Sequence, residues 1–599
     1  MHKEIEELFW LLSNKDRFKF AILVGLMFIG TVLELIGIGL IPLFVSAVAD
    51  PGLLFNNQYT GPFLDSLGID TARELLIAGG AALIVVFFVR GIYLIVLNYV
   101  KAGYIFGRFE SIASELYKSY LYSPYTFHLS RNSAELVRNV TNEARYVAEF
   151  VLQPLLTILM HGITAAGIFF LLLFIEPLIT LLTFLILGGG GALILKFQKN
   201  KMNKHGEIAS RERSRLIQDV NEGLGGIKDL LLMNRQNHLL TKFRKVASNI
   251  KKAETFKVTS DQAVKPVMEF MAVGGMMLIA LVMVFQDRPI AAIIPILALF
   301  GVAAVRLMPA ISQIISRTTL LRFYAYALKP VCRDVMNHRK MEKFEKRHSE
   351  SNEKLSFSSE IELEDISYQY PNADSYALSG IKLSIKKGEA IGFVGSSGAG
   401  KSTIVDVILG LLKPQIGTIL VDGIDISGQL RSWQNNIGYI PQFIFLSDDT
   451  VRNNIAFGIP EKEISDDKIK AAVKAAQLQD FINTLPEGLD TVIGERGVRL
   501  SGGQRQRIGI ARALYNNPEV LIMDEATSAL DNETEKQVID AIEQLKGERT
   551  IIMIAHRLTT VKNCDRLYLM EDGKIIGHGT YNELIGSSEK FKKLAMEEG

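Results

Sequence analysis

Six stretches of this 599-residue chain, 20–48, 75–99, 147–175, 178–197, 267–285 and 289–309, are each apolar over about the 20 residues that a helix needs to cross a bilayer. Hydrocarbon offers no hydrogen bonds, so such runs fold as helices. Six crossings put both ends of the chain on one side. The connections 50–74, 176–177 and 286–288 hold only Arg73 and Arg288 as basic residues, whereas 100–146 and 198–266 are long and rich in lysine and arginine. The positive-inside rule therefore assigns the long connections and both termini to the cytoplasm.

The polar sequence around these runs is patterned too. Ile5, Leu8, Phe9 and Leu12 recur at helical spacing, which predicts an amphipathic helix lying on the membrane surface. Acidic Glu4, Glu6 and Glu7 argue against a cleavable signal peptide. Stretches 108–120, 133–150 and 207–232 keep helical apolar spacing with charged faces, so the spanning helices are expected to continue into the cytoplasm. They reverse at turn-rich breaks, 122–127 with Ser123-Pro124 and 233–238 with Asn234 and Asn237, each expected to present a short segment to a partner domain. Residues 1–332 are assigned to this helical membrane domain, and the charged run 333–360 to a linker.

Apolar residues make up 48% of the chain, yet charged ones still hold 22%, so a soluble unit must accompany the membrane part. Sixty-six basic against 64 acidic residues leave no global basic field of the kind that binds nucleic acid. Cys332 and Cys564 lie too far apart in sequence to suggest a disulfide framework or a zinc site. From residue 361 onward, short apolar runs at 361–370, 390–394, 418–421, 437–439, 520–523 and 550–554 alternate with helical patterns. That alternation predicts an α/β domain over 361–599 with a largely parallel central sheet.

Within this domain Gly395-Ser396-Ser397-Gly398-Ala399-Gly400-Lys401-Ser402-Thr403 follows a strand and opens the helical run 404–412, the context of a phosphate-binding loop. Its glycines let backbone N–H groups curl around phosphate oxygens, Lys401 reaches the β/γ-phosphates and Ser402 ligates Mg²⁺. The apolar run 520–523 delivers Asp524 and Glu525 at a strand end, where Asp524 suits the metal shell and Glu525 suits orienting an attacking water.

Leu500-Ser501-Gly502-Gly503-Gln504, ahead of that acidic strand end, resembles the signature of ATP-binding cassette proteins. The resemblance extends to the other motifs. Tyr370 before Pro371 is similar to the adenine-stacking aromatic, and Gln442 to the Q-loop glutamine counted with Ser402 and Asp524 in the magnesium shell. Ser528-Ala-Leu-Asp531 is similar to the D-loop and His556 to the switch histidine, so Glu525, His556 and Gln442 form the catalytic set that the resemblance implies. Glu495-Arg496-Gly497 resembles the segment by which exporters report to the membrane part. Position 399 is alanine where many members have serine, a change that leaves the backbone amide in place. The family uses Ser501, Gly502 and Gly503 to complete the ATP site of the opposite subunit. One cassette and six spans therefore resemble a half-transporter, working as a homodimer with ATP and Mg²⁺.

The cargo is read from charges inside the spans, which are costly and face interior cavities. Arg90 and Arg306 are the expected contacts for an anionic headgroup, while Lys265 and Glu269 are spaced to pair with each other. The run from Glu34 to Pro42, followed by an external connection with Phe63, Leu64, Leu67 and Ile69, is similar to bacterial lipid-linked oligosaccharide flippases. That similarity implies flipping of a polyprenyl-pyrophosphate glycan across the bacterial cytoplasmic membrane. Export of lipid A, drugs or peptides is the alternative, and a nucleotide-gated channel or regulatory subunit is the alternative of another class.

Overall fold

The computed structural model describes residues 2–49, 55, 62, 64, 66, 68–175, 177–286, 290–345, 353–494, 497–498, 500–524, 543–555 and 557–597. The chain divides into two compact units, Met1–Ser123 with Arg131–Glu342, and Pro124–Ser130 with Lys343–Gly599.

The first unit is helical. Its long helices are Asn14–Ala49, Ala72–Leu121, Gln153–Ile175, Pro177–Gly225, Gln236–Gln262 continuing as Val264–Phe285, and Ile290–Tyr324. Five stretches among the described residues are long and apolar enough to cross a membrane, and the sixth run falls within Ile290–Tyr324. The 50-residue helix Ala72–Leu121 opens on a capping box between Thr71 and Glu74. At 1.5 Å per residue it extends about 75 Å, more than twice the roughly 30 Å of a hydrocarbon core, so it must continue beyond the bilayer as its charged second half predicts. Ala165, Leu187, Met268, Leu307 and Ile311 form a buried core between the helices. At Gly206 any Cβ would meet the Phe323 carbonyl oxygen at 2.2 Å, so glycine is what lets those two helices touch. Two π-helical turns, Asn139–Glu143 and Ala148–Leu152, interrupt the helical lead-in to Gln153–Ile175.

Three expectations change here. The amphipathic helix His2–Leu11 does form, but Leu8, Leu11 and Leu12 are buried in protein rather than turned to a membrane surface. The helix packs along Leu328–Glu345: Cys332 Sγ donates to the Glu7 carbonyl, and Arg339 donates to the carbonyls of Trp10 and Leu11 and lies over the Trp10 ring. Second, the expected linker is helical through Glu345. Val331, Cys332 and Val335 are buried at helical spacing, so the segment is a packed helix; Arg333 lies on its wet face, whereas Asp334 is buried and accepts from Tyr120 and Arg131. Third, part of the apolar external turn is spent on packing, because Leu64 is buried with Leu75 against Ile69; Phe63 and Leu67 lie outside the described residues.

The second unit takes in the short helix Tyr125–Leu129, the first of the two expected tips. Its strands are β1 (Glu360–Tyr368), β2 (Leu378–Lys386), β3 (Ala390–Val394), β4 (Ile416–Val421), β5 (Ile424–Asp425), β6 (Ile437–Ile440), β7 (Val520–Asp524), β8 (Thr550–Ile554), β9 (Arg566–Glu571) and β10 (Lys574–Gly579). They form two sheets, β2-β1-β4-β5 and β10-β9-β3-β8-β7-β6. The second is parallel from β9 to β6, with β10 antiparallel at its edge. The strands at 361–370 and 418–421 therefore do not join the parallel sheet; they pair antiparallel in a sheet of their own. The reason is visible in their patterning. β1 alternates buried Ile361 and Leu363 with more exposed Glu362 and Glu364, whereas β3 and β8 are buried at every position, as strands covered on both faces must be.

Candidate functional site

The phosphate-binding loop leaves the C-terminal end of β3 and enters the helix Lys401–Ile408, whose N-cap is Gly400. Gly395 has φ +147, and a Cβ there would meet the Met570 carbonyl oxygen at 2.3 Å. Gly400 has φ +99, and its Cβ would meet the Ala377 carbonyl oxygen at 2.8 Å. Both positions require glycine for conformation and for space. Ser396, Ser397 and Gly398 are exposed and Ala399 is buried. Lys401 is 5% exposed, and its Nζ donates to the carbonyls of Gly395 at 2.7 Å and Ser396 at 3.0 Å, which folds the ammonium back across the loop. Ser402 is exposed at the helix N-terminus, where unbonded N–H groups and the helix dipole favour an anion. Thr403 is buried, and its hydroxyl lies 3.2 Å from the phenol oxygen of Tyr370. Tyr370 meets Tyr368 edge to face at 5.1 Å, which places its ring next to the loop.

The parallel register brings the acidic strand end to the same edge. β8 lies between β3 and β7, and Asp524 sits opposite Ile554 at the C-terminal end of β7. Gln442 follows β6, the neighbour of β7, and is exposed. Asp406, in the helix that the loop opens, was not anticipated. Burial and the charge of Asp524 push its carboxyl up to about 6. Tyr439 hydrogen-bonds Asp524, and burial beside that carboxylate pushes its phenol up. Asp406 carries no motif, so only its approach to Asp524 reveals it.

Ser501 is the N-cap of the helix Gly502–Leu514 and forms a capping box with Gln504: the Ser501 N–H donates to Gln504 Oε1 at 2.9 Å and the Gln504 N–H to Ser501 Oγ at 3.2 Å. Ser501 is exposed and Gly503 buried. The Ser-x-x-Gln spacing was a legible capping signal in the sequence. Glu525, Asp531, His556, Glu495 and Arg496 lie outside the described residues, and so does the side chain of Arg306.

In the membrane unit Arg90 is engaged: its Nη2 donates to Glu34 Oε1 at 3.0 Å, while its Nε is buried without a hydrogen-bond partner. Lys265 and Glu269 pair at 3.9 Å on one exposed helix face. A cationic pair beside a histidine was missed by sequence reading. Lys101, His161 and Arg317, from three different helices, are half-buried and lie within one another's field: Lys101 and Arg317 both act on His161, and Arg317 on Lys101. None has a carboxylate bonded to it among the described residues.

A multi-span helical domain joined to a phosphate-loop ATPase domain defines a nucleotide-driven membrane transporter. The comparisons place the chain within that class. The ABC transporter transmembrane region family matches residues 36–303 and the ABC transporter family matches 378–528. An ATP-dependent lipid A-core flippase of Haemophilus influenzae is 30% identical over 560 residues, covering 92% of this chain and 93% of that protein. A protein of the same description from Thiobacillus denitrificans is 28% identical over 94% of this chain and 95% of its own length. The structure of a bacterial Atm1-family ABC exporter with ATP bound superposes with a TM-score of 0.75 at 20% identity, over 98% of this chain and 99% of that one. The chain belongs to the ABC transporter family. It is a multi-pass membrane exporter that couples ATP hydrolysis to transport.

Proposed function

We propose that two copies of this chain form the working exporter and that its cargo is a lipid with a phosphorylated, anionic headgroup. One observation carries the cargo reading. Lys101 and Arg317 gather beside His161 with no carboxylate among the described residues to balance them. Both lie just past the ends of their spans, where uncompensated cations suit the mouth of a cavity that receives negative charge. Phosphate oxygens supply it through charge-assisted hydrogen bonds. Arg90 then has a supporting role, since Glu34 already neutralises it; Arg306 stays in the reading as a further headgroup contact. The relatives' description as lipid A-core flippases puts that class of cargo first. A polyprenyl-pyrophosphate glycan, favoured by the run from Glu34 to Pro42, is the second reading and shares the same headgroup chemistry.

On the cassette, we assign Lys401 and the 395–403 backbone to the phosphates of ATP, and Tyr370 to its base. Ser402, Gln442, Asp524 and the adjacent Asp406 form an oxygen-rich corner that suits a hard divalent cation, and Asp406's raised carboxyl is what a site built to share cationic charge would show. When bound, Mg·ATP supplies the phosphoryl group transferred to water. Glu525 orients that water, Gln442 and His556 position the reacting groups, and Ser501, Gly502, Gly503, Gln504 and Asp531 serve the site of the partner subunit. The cassettes and both termini face the cytoplasm of a bacterial cell.

The test is flipping in proteoliposomes, with lipid A-core and polyprenyl-pyrophosphate glycans offered separately. Arg317→Ala and Lys101→Ala each lower flux about tenfold, the weight of a hydrogen bond to a charged group, while basal ATPase stays within about twofold. Undiminished flipping of both lipids in both variants would overturn the anionic-headgroup reading.

A further inference from the structure

A groove of about 290 Å³ lies between the start of Asn14–Ala49 and the middle of Ala72–Leu121, where both helices pass from apolar to polar sequence. Its walls are Ile22, Leu26 and Val100; Ile22 is 49% and Val100 41% exposed. Its polar end is Lys19, Tyr104 and Arg108. Arg108 forms an ion pair with the buried Asp16, and the Tyr104 hydroxyl donates to the Asp16 carbonyl at 3.2 Å. That leaves Arg108 Nε buried without a hydrogen-bond partner, and exposed Lys19 without a carboxylate among the described residues.

Gly103 and Gly107 form the floor, one turn apart in the interior of a long helix. Glycine there disfavours the helix relative to alanine. No packing demands it, because a Cβ at either position would meet nothing within 4 Å. What the two glycines do is keep the groove deep. Phe18 and Tyr99 stand exposed on the same two helices near this border, as aromatics do at a membrane interface.

We propose that this groove is a binding site for an anionic phospholipid of the leaflet at this end of the spans. One acyl chain lies along Ile22, Leu26 and Val100 over the glycine floor, and the phosphate meets Lys19 beside the Arg108 guanidinium. The apolar walls and the uncompensated cation at one end match an amphiphile with a negative head. A bound lipid ties the beginning of the first span to the second, and through Asp16 and Arg108 it braces the junction with the N-terminal helix.

The full-length protein in proteoliposomes, labelled with photoactivatable phosphatidylglycerol or phosphatidylcholine and mapped by peptide mass spectrometry, tests this. Phosphatidylglycerol labels the peptides carrying Ile22, Leu26 and Val100 about fivefold more than phosphatidylcholine does, and Lys19→Ala removes that preference. Gly103→Leu, which puts a side chain into the floor where a Cβ meets nothing within 4 Å, abolishes the labelling; Gly107→Leu does the same should the first variant express poorly. Inorganic phosphate at millimolar concentration leaves the labelling unchanged, since the chain and the head bind together. Equal labelling by both lipids, labelling that survives both glycine variants, or competition by phosphate alone would overturn the proposal. So would efficient chain-to-chain crosslinking from Val100→Cys, which would put a second subunit where the lipid is placed.

Discussion

Lys401 and Asp406 lie less than two turns apart on one helix and respond to opposite demands. The ammonium is held by the loop carbonyls of Gly395 and Ser396, whereas the carboxyl keeps its proton up to about pH 6 because burial and Asp524 disfavour a second negative charge. Replacing Lys401 by alanine should weaken nucleotide binding itself. Glu525→Gln should bind ATP normally and lower turnover about 100-fold or more, the scale of losing one positioned group at a reacting centre. Equilibrium binding and steady-state hydrolysis separate the two, and near-normal turnover in Glu525→Gln would remove its assigned role. Asp406 has a folded value of about 6 against 3.8 for the free group, so the folded chain binds more protons between these limits. Its stabilising contribution is complete below the lower value and is lost as pH rises through the upper one. In nucleotide-free protein, the thermal stability of wild type relative to Asp406→Asn should therefore fall from about pH 4 to about pH 7. A difference independent of pH would show that Asp406 titrates normally.

Among the elements, the N-terminal helix shows how a pattern is read correctly and its partner wrongly. Spacing reveals an apolar stripe but not what covers it. Leu8 is 2% exposed on a helix whose Glu7, Trp10 and Leu11 bond Leu328–Glu345, and most of that helix was hidden in a segment whose charges read as a linker. Leu8→Ala should accordingly cost about 2–3 kcal/mol in denaturant unfolding of the detergent-solubilised protein, as truncation of a buried leucine does. A change below about 0.5 kcal/mol, the size of a surface substitution, would return the helix to the membrane surface. The two sheets carry the same lesson from the opposite side. The alternation in β1 and the unbroken apolar runs of β3 and β8 already distinguished a half-exposed antiparallel strand from strands buried on both faces.

For the whole molecule, the decisive expectation is that Lys401 of one chain works with Ser501 of the other. Mixing Lys401→Ala and Ser501→Arg subunits in equal amounts makes half of all dimers mixed, each with one intact site and one carrying both lesions. If the sites act independently, hydrolysis recovers to about a quarter of wild type, although neither variant hydrolyses ATP alone. Activity no greater than the average of the two separate variants would remove the shared site.

The spans and the phosphate loop were legible because they are written in contiguous residues: an apolar run needs no distant partner to demand a helix in hydrocarbon, and a strand, a glycine loop and a helix follow one another directly. The charges proposed to receive cargo are not local in this way. Arg90 pairs with Glu34 across 56 residues, and Lys101, His161 and Arg317 meet from three helices. Each helix in the sequence specifies which side chains share a face, but how it rotates and where it packs is settled by the core it forms with the others, down to a contact as specific as Gly206 against Phe323. Asp406 follows the same logic. Its position in the chain is ordinary, and it acquires an altered carboxyl because a parallel sheet places Asp524 beside it.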